Sequence, residues 1–389
     1  MGVVKASESL NQPESVGYVY IRTRAGLAEL LERVGTAAKV ALDTEADSLH
    51  HYFEKVCLIQ LSLGAEHYLV DPLGGLDLSG LLEALAEKPL IFHGADYDLR
   101  LMRRSMGFRP RRDIFDTMIA AQLLGFEQIG LAALIVKYFG ITVGKAGQKS
   151  DWSRRPLSES QLRYAVNDTR FLERLADRMR GELDHRRRLA WHKESCQAMV
   201  RSTERDPARD PESDWRLKGA GQLTRRQLGY LRELWRWRDQ QARSADLPAF
   251  RILGNEEITA LVRWAESHRG APLQQGPKLP RNIFGARLTT LEEALARAAA
   301  MEETEWPELR KRDRGPARNE CAEEINALRR ECARIAQALE ISPSTLAPRA
   351  ALEAIAQSRP RGVNEIMESG GLLCWQAELL QSAVEKYWR

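Results

Sequence analysis

Two rhythms of apolar positions run along the chain, and the change from one to the other divides it. Over roughly the first 180 residues, short β-rich runs alternate with helical repeats. The runs at 18–22, 40–43, 56–62, 67–70 and 90–93 read as strands, with Gly64 turning the third into the fourth. Between the first two, Leu27, Leu30, Leu31 and Val34 recur at the spacing of an amphipathic helix. Further helices are predicted over 98–106, 116–124, 131–139 and 158–178, the last opened by Ser158-x-x-Gln161, a capping-box pattern. The expectation is a mixed α/β domain with its sheet early and its helices late.

Beyond residue 205 the strand rhythm stops. A polar stretch over 205–215, with Pro207, Pro211 and several Asp, suits a linker. Leu223, Leu228, Leu231, Leu234 and Trp235, then Ile258, Leu261, Val262 and Trp264, describe amphipathic helices joined by turns at Leu247-Pro248 and Gly254-Asn255. Gly and Pro cluster over 270–280, and a charged stretch at 310–318 interrupts the last helices. The layout expected is 1–200, 210–290 and 291–389, α/β first and all-α after. No short-period repeat is visible, although the two helical segments could be related modules.

Composition narrows the picture only slightly. A chain of 389 residues exceeds what one core organises, and its 43% hydrophobic and 29% charged residues are ordinary for a globular protein. No apolar run approaches the roughly 20 residues of a membrane span, and residues 1–14 lack the apolar core of a secretory signal, so a cytoplasmic location is expected. The five cysteines are scattered without metal-ligand spacing and read as reduced, mostly buried thiols. The net charge of +4 is modest, but residues 201–290 carry 17 Lys/Arg against 11 Asp/Glu while 291–389 carry 14 against 17. The basic surplus lies in the middle third, as either a solvated helical face or a surface that attracts a polyanion.

Candidate chemistry sits at strand ends. Leu42-Asp43-Thr44-Glu45 places two carboxylates at i and i+2 on one face of a strand, an arrangement that alone suits a turn or solvated edge and, with further carboxylates, a hard divalent cation that relieves their repulsion. The strand at 90–93 leads through Gly94-Ala95 into a helix with Asp96 and Asp98, just past a strand's C-terminal end, where α/β sheets place ligands. Asp96 suits an N-cap, which leaves Asp98 as the ligand candidate. Tyr164 and Asp168 are i, i+4 on one helical face. Asp113, Asp116 and Asp151 read as structural. Of Trp235 and Trp237, i and i+2 on a helix, at least one belongs to a core.

Together, Asp43-x-Glu45, Asp98 within His93-Gly-Ala-Asp-Tyr-Asp-Leu99, and Tyr164-x-x-x-Asp168 resemble the three motifs of DEDD-superfamily 3′-to-5′ exonucleases in their tyrosine-bearing branch. The phrases Cys57-Leu-Ile-Gln-Leu-Ser62, Val70-Asp-Pro-Leu73, Phe115-Asp-Thr-Met118 and Asp151-Trp-Ser-Arg-Arg-Pro-Leu157 are similar to the ribonuclease D family. Residues 217–269 resemble the helicase-and-ribonuclease-D C-terminal (HRDC) domain, and the last part, with Leu328-Arg-Arg-Glu-Cys-Ala333, looks like a divergent second copy.

The resemblance implies a ribonuclease H-like exonuclease domain followed by helical HRDC-like domains. It implies two Mg²⁺ or Mn²⁺ ions about 3.5–4 Å apart, bridged by Asp43. Glu45 and Asp168 would complete one site, Asp98 would hold the second ion, and Tyr164 would orient the attacking water. His93 and Gln60 lie beside the motifs and could touch the terminal nucleotide, although a turn-fixing role for His93 and a backbone bond for Gln60 are the plainer readings. The implied substrate is RNA with a free 3′ end, tRNA precursors included, handled by a monomer. A DNA exonuclease of the same superfamily and an inactive RNA-binding adaptor are the rivals. A helicase is excluded by the absence of a G-x-x-x-x-G-K-[ST] loop. The exonuclease resemblance closes near residue 180, so a protein truncated near Arg201 is expected to fold.

Overall fold

The computed structural model describes residues 17–144, 147–205, 213–309 and 321–387. The opening 1–14, positions 206–212 of the expected linker and the charged stretch 310–318 lie outside the described residues. Among those described, no helix is long and apolar enough to cross a membrane.

Six strands, β1 (Val19–Ile21), β2 (Val40–Ala46), β3 (Val56–Leu63), β4 (Glu66–Val70), β5 (Leu90–Phe92) and β6 (Ile114–Asp116), form one sheet in the order β1-β4-β3-β2-β5-β6. β2, β3 and β4 make an antiparallel meander, and β1, β5 and β6 join it in parallel. Residue alternation assigns the two faces. Val40, Leu42, Ile59, Leu61 and Phe92 pack under α1 (Arg24–Thr36), α2 (Ser79–Ala86) and α3 (Asp96–Met106). Ala41, Ile91 and Phe115 face α4 (Thr117–Leu123) and α7 (Leu172–His185). α5 (Leu131–Phe139), α6 (Glu159–Arg170) and α8 (Leu189–Glu204) complete this part.

Two expectations need correction here. The helix expected over 158–178 breaks at Phe171 into α6 and α7, after opening on the expected capping box of Ser158 and Gln161. Asp96 is not the N-cap of α3. Ala95 holds that position without a side-chain bond, and Asp96 pairs instead with Arg100 on the exposed side (2.9 Å).

The chain divides into two units, and the division differs from the one expected. One comprises 1–46, 56–204 and 321–389, the other 47–55 and 205–320. The boundary expected at 290/291 falls inside α12 (Ala286–Ala300), whose Leu291, Ala294 and Ala298 share a core with α9 (Arg225–Ala245) and α11 (Asn255–Ser267). The C-terminal helices α13 (Ala322–Ala338), α14 (Pro343–Leu346), α15 (Arg349–Ser358), α16 (Val363–Gly370) and α17 (Cys374–Tyr387) are no separate body either. Ile325, Leu328, Leu346, Leu352 and Leu380 sit in one core with Leu123, Leu134 and Leu175. Glu194 of α8 accepts from the backbone of Cys374 (2.6 Å), and Trp191 stacks on Trp375 at 4.8 Å. Truncation near Arg201 would therefore strip apolar partners from the α/β domain, against the expectation that such a protein folds.

The second unit is helical around Leu228, Leu231, Leu234, Leu261 and Val262. Trp237 is the core member of its tryptophan pair, with Nε1 donating to Thr290 Oγ1 at 3.0 Å. Its backbone is matched in the other unit. α9, the four-residue α10 (Ala249–Ile252) and α11 correspond to α13, α14 and α15. Just past the long helices Asp246 and Glu340 both turn left-handed (φ 47° and 53°), and Leu247 and Ile341 donate back to Ala242 and Ala336 (3.0 and 2.9 Å). The buried positions keep the same spacing: Ile252 and Leu346, Ile258 and Leu352, Leu261 and Ile355.

Candidate active site

β2 carries Asp43 and Glu45 on the face of Ala41, since Leu42 between them turns into the opposite core. Across the antiparallel ladder Asp43 pairs with Gln60 and Glu45 with Leu58, and a bulge after Glu45 ends the regular register. α6 lies over this face, with Leu162, Ala165, Val166 and Thr169 buried and Ser62 donating to Thr169 (2.8 Å). That seating brings Tyr164 and Asp168, one helical turn apart, over the strand. Asp98 enters from the first turn of α3, where the helix N-terminus favours a carboxylate.

The predicted carboxylates converge, though not equally. Asp43, Glu45 and Asp168 each offer an oxygen, and the three oxygens lie within 4.8 Å of one another. Asp98 is not one of these three, and Thr44 takes one of its oxygens: Thr44 Oγ1 and N both donate to Asp98 Oδ1 (2.5 and 3.1 Å). Burial and then mutual repulsion push these groups up. Asp43 lies well above the usual carboxylate range through burial and the charges of Asp98, Asp168 and Glu45, and Glu45 is pushed up to about 9 by burial, Asp168 and Asp98. Asp168 rises to about 7 through burial, although its bond from Tyr164 opposes this, and Asp98 rises to about 6 through burial, held down by Thr44. Hard oxygen donors that destabilise one another's charge suit a divalent cation, and the donor set fits one. Burial and the surrounding carboxylates push the Tyr164 phenol up as well, so it stays protonated at neutral pH.

Several supporting residues escaped the sequence reading. Asp116 is structural, as expected, and its role is specific: Oδ1 accepts from Gly94 and Met118 (3.1 and 2.8 Å) and Oδ2 from Ala95 (2.7 Å), fixing the turn that launches α3 and Asp98. His93 bonds Thr117 through Nδ1 (2.9 Å), in keeping with a turn-fixing role. Arg155 clamps Asp71 with two bonds of 2.7 Å and donates to the carbonyls of Cys57 and Trp152. Tyr20 adds a third bond to Asp71 (2.7 Å). This network seats Trp152 with its ring centroid 6.1 Å from that of Tyr164. Gly147 touches the same tyrosine: a Cβ there would lie 2.5 Å from Tyr164 Cγ, so only glycine fits. The phrases around Asp71, Phe115 and Asp151 were the available signal for the two clamps; nothing in the sequence pointed to Gly147.

Gln60 behaves differently from expectation. It is wholly enclosed, and neither amide atom finds a partner among the described residues, so the backbone bond expected of it is not made. Enclosure also argues against its contacting a nucleotide. Asp113 is exposed and pairs with Lys193 (3.1 Å), and Asp151 caps its own turn through Ser153. Four of the five cysteines are buried and all are free.

Comparison with known proteins agrees with this geometry. The family described as 3'-5' exonuclease matches residues 18–184, and the HRDC domain family matches residues 227–267. Ribonuclease D of Xanthomonas oryzae is 35% identical over 268 residues, covering 67% of this chain and 73% of that protein. Ribonuclease D of Pseudomonas paraeruginosa is 29% identical over 374 residues, 94% of this chain and 96% of the other. Among solved structures, Escherichia coli RNase D, described as an exoribonuclease involved in structured RNA processing, superimposes with a TM-score of 0.71 at 27% identity, over 95% of this chain and 98% of that one. The α/β sheet with its carboxylate cluster, the helical HRDC region and these relatives lead to one conclusion: the chain belongs to the ribonuclease D family of 3′-to-5′ exoribonucleases.

Proposed function

We propose that this exoribonuclease trims structured RNA, tRNA precursors included, from a free 3′ end, acting in the cytoplasm as a monomer. Asp43, Glu45, Asp98 and Asp168 would hold two ions, Mg²⁺ or Mn²⁺. The observation that carries this reading is the convergence of Asp43, Glu45 and Asp168 within 4.8 Å, with Asp98 tied to Thr44 beside them. When bound, such ions neutralise the carboxylates, lower the pKa of water and offset charge on the scissile phosphate. Tyr164 keeps its proton, so it orients the attacking water by hydrogen bonding rather than removing a proton from it. Trp152 and Gly147 hold the ring for that task. Water oxygen bonds to phosphorus, the bond from phosphorus to the 3′-oxygen of the preceding nucleotide breaks, and that oxygen takes a proton. A nucleoside 5′-monophosphate leaves, and a new 3′-hydroxyl is ready for another round.

One oligomer in ribose and deoxyribose forms tests the substrate. Mononucleotide release from the ribose form alone, abolished by EDTA, is expected; equal rates on both would return the DNA reading. Tyr164→Phe should lower kcat by about 10²-fold with RNA binding little changed, the range of lost positioning. A loss of affinity at constant kcat would make Tyr164 a substrate clamp instead.

A further inference from the structure

All three phenylalanines of the helical unit formed by 47–55 and 205–320 are exposed: Phe53 at 55%, Phe250 at 56% and Phe284 at 72%. The six in the other unit are at least half-buried. Nor is this a unit that fails to bury its aromatics, because Trp215, Tyr230 and Trp237 are all in its core. Keeping three large apolar rings in water costs stability, and isolated exposure does not explain why one side chain type is singled out.

The segments that carry them are bonded together. The carboxylate of Asp246 accepts from His51 Nδ1 (2.7 Å) and from the backbone of Tyr52 and Phe53 (3.0 and 3.2 Å), which pins the 51–53 turn to the end of α9. Tyr52 packs edge-on against Phe53 at 5.0 Å and donates to Asp239 (2.8 Å). Arg251, next to Phe250, reaches His50 Nδ1 (3.0 Å), and Asn282, two residues before Phe284, donates to the Arg251 carbonyl (2.7 Å). Phe53 is thus presented by a built support.

Charge around these rings has one prevailing sign. Arg243, Arg251, Lys278 and Arg281 are exposed, and the guanidinium of Arg243 lies 6.0 Å from the Phe53 ring. Residues 271–290 contain no acidic side chain. Of the carboxylates nearby, Asp246 is spent on the 51–53 turn, Asp239 accepts from the Tyr52 hydroxyl and Asp47 is buried against Lys55, while Glu54 follows Phe53 directly. Bare aromatic faces set among arginines match one polymer chemistry: an anionic backbone bearing unpaired, stackable bases. Segment 47–55 also leaves the strand of Asp43 and Glu45 at Ala46 and rejoins the sheet at Val56.

We infer that Phe53, Phe250 and Phe284, with Arg243, Arg251 and Arg281, form a stacking surface for single-stranded RNA. The inference rests on the exoribonuclease reading for its choice of nucleic acid. A duplex offers no free base faces, so the surface selects unpaired chain over helix.

The test uses the full-length protein in EDTA, so that nothing is hydrolysed. Fluorescence anisotropy measures binding of a labelled uridine decamer and of an abasic ribose-phosphate chain of equal length. Phe53→Ala, Phe250→Ala and Phe284→Ala should each weaken binding of the decamer about fivefold or more, the lower end for one lost stack, and leave the abasic chain unaffected. Phe53→Leu, which keeps apolar area without the ring face, should behave like the alanine variant. Arg251→Gln should weaken both ligands and reduce the salt slope by about 0.7.

An unchanged ratio of the two affinities in all three phenylalanine variants overturns the proposal, as does full rescue by leucine. So does a change in self-association by sedimentation with the ratio intact, which would assign the surface to a second copy of the chain. If wild-type protein with Mg²⁺ releases no mononucleotide from any RNA while the ratio still depends on the phenylalanines, the reading of the catalytic site fails and the stacking surface stands.

Discussion

The two helical modules, 225–267 and 322–358, share a backbone plan and spend it differently. In the first, Asp246 reaches the 51–53 turn, Arg251 bonds His50, and Arg243, Phe250 and Arg251 are all exposed. The same positions of the second hold Gln337, Ser344 and Thr345. There the residue matching Asp246, Glu340, turns toward the nuclease: its carboxylate accepts from Arg186 (2.9 Å), and its carbonyl oxygen lies 1.7 Å from where a Cβ on Gly125 would stand. Buried positions define the module, and a handful of outward ones decide whether it faces solvent or props the α/β domain.

The largest effect should come from removing the prop. Ending the chain at Glu320 takes away Ile325, Leu328, Leu346, Leu352 and Leu380 and uncovers Leu123, Leu134 and Leu175. Such a protein should lose its cooperative unfolding transition and its hydrolysis of even short oligomers. Wild-type kcat on a trinucleotide would show that the second module does not support the nuclease.

Asp43→Asn separates chemistry from support. Both modules stay intact, so the melting transition and RNA binding should survive while turnover falls by at least about 10²-fold, the scale of removing one preorganised charged group. Residual activity near wild type would remove Asp43 from the centre of the site.

Matched cavities sharpen the contrast further. Ile252 and Leu346 occupy the same place in the two modules, both wholly buried. Each truncation to alanine should cost about 2–5 kcal/mol. In Leu346→Ala the loss should appear in the transition that carries nuclease activity. In Ile252→Ala it should appear in the other unit, with short-oligomer hydrolysis unchanged. Denaturant curves followed by activity and by circular dichroism distinguish these outcomes.

Much of this was legible because it is periodic. Successive residues of a strand point to opposite faces, so the shared face of Asp43 and Glu45 on β2 could be read directly, as could Tyr164 and Asp168 at one helical turn. β6 went unassigned, with only its last residue Asp116 falling in the helix expected over 116–124, because its three residues are all buried and carry no alternation. The break at Phe171 was hidden because helical spacing continues on both sides. Thr44 and Gly147 escaped for a different reason: their roles depend on Asp98 and Tyr164, partners brought close only by the fold. The destination of residues 321–387 was illegible likewise, since an amphipathic helix shows that it has an apolar face but not which core receives it.

The smallest expected effect is also specific to one unit. Without metal, Glu45 and Asp168 titrate near 9 and 7 in the folded protein, against ordinary values of 4.5 and 3.8 when unfolded. The folded state therefore binds more protons than the unfolded state between about pH 4 and 9, and its stability must fall as pH rises through that window. Below the unfolded values both states are protonated and the penalty vanishes. Divalent cation replaces those protons with fixed positive charge, so it should stabilise most where the carboxylates are otherwise forced to ionise together. In EDTA the melting temperature of the nuclease unit should drop by on the order of 5 °C from pH 6 to 9, and excess Mg²⁺ should flatten that slope. The unit of 47–55 and 205–320 lacks such a cluster among its described residues, and its transition should show neither response. Calorimetric scans at several pH values with and without Mg²⁺ give both slopes at once. A nuclease transition equally stable in EDTA at pH 6 and 9 would mean that the carboxylates do not crowd one another as drawn, and the metal site would lose its physical basis.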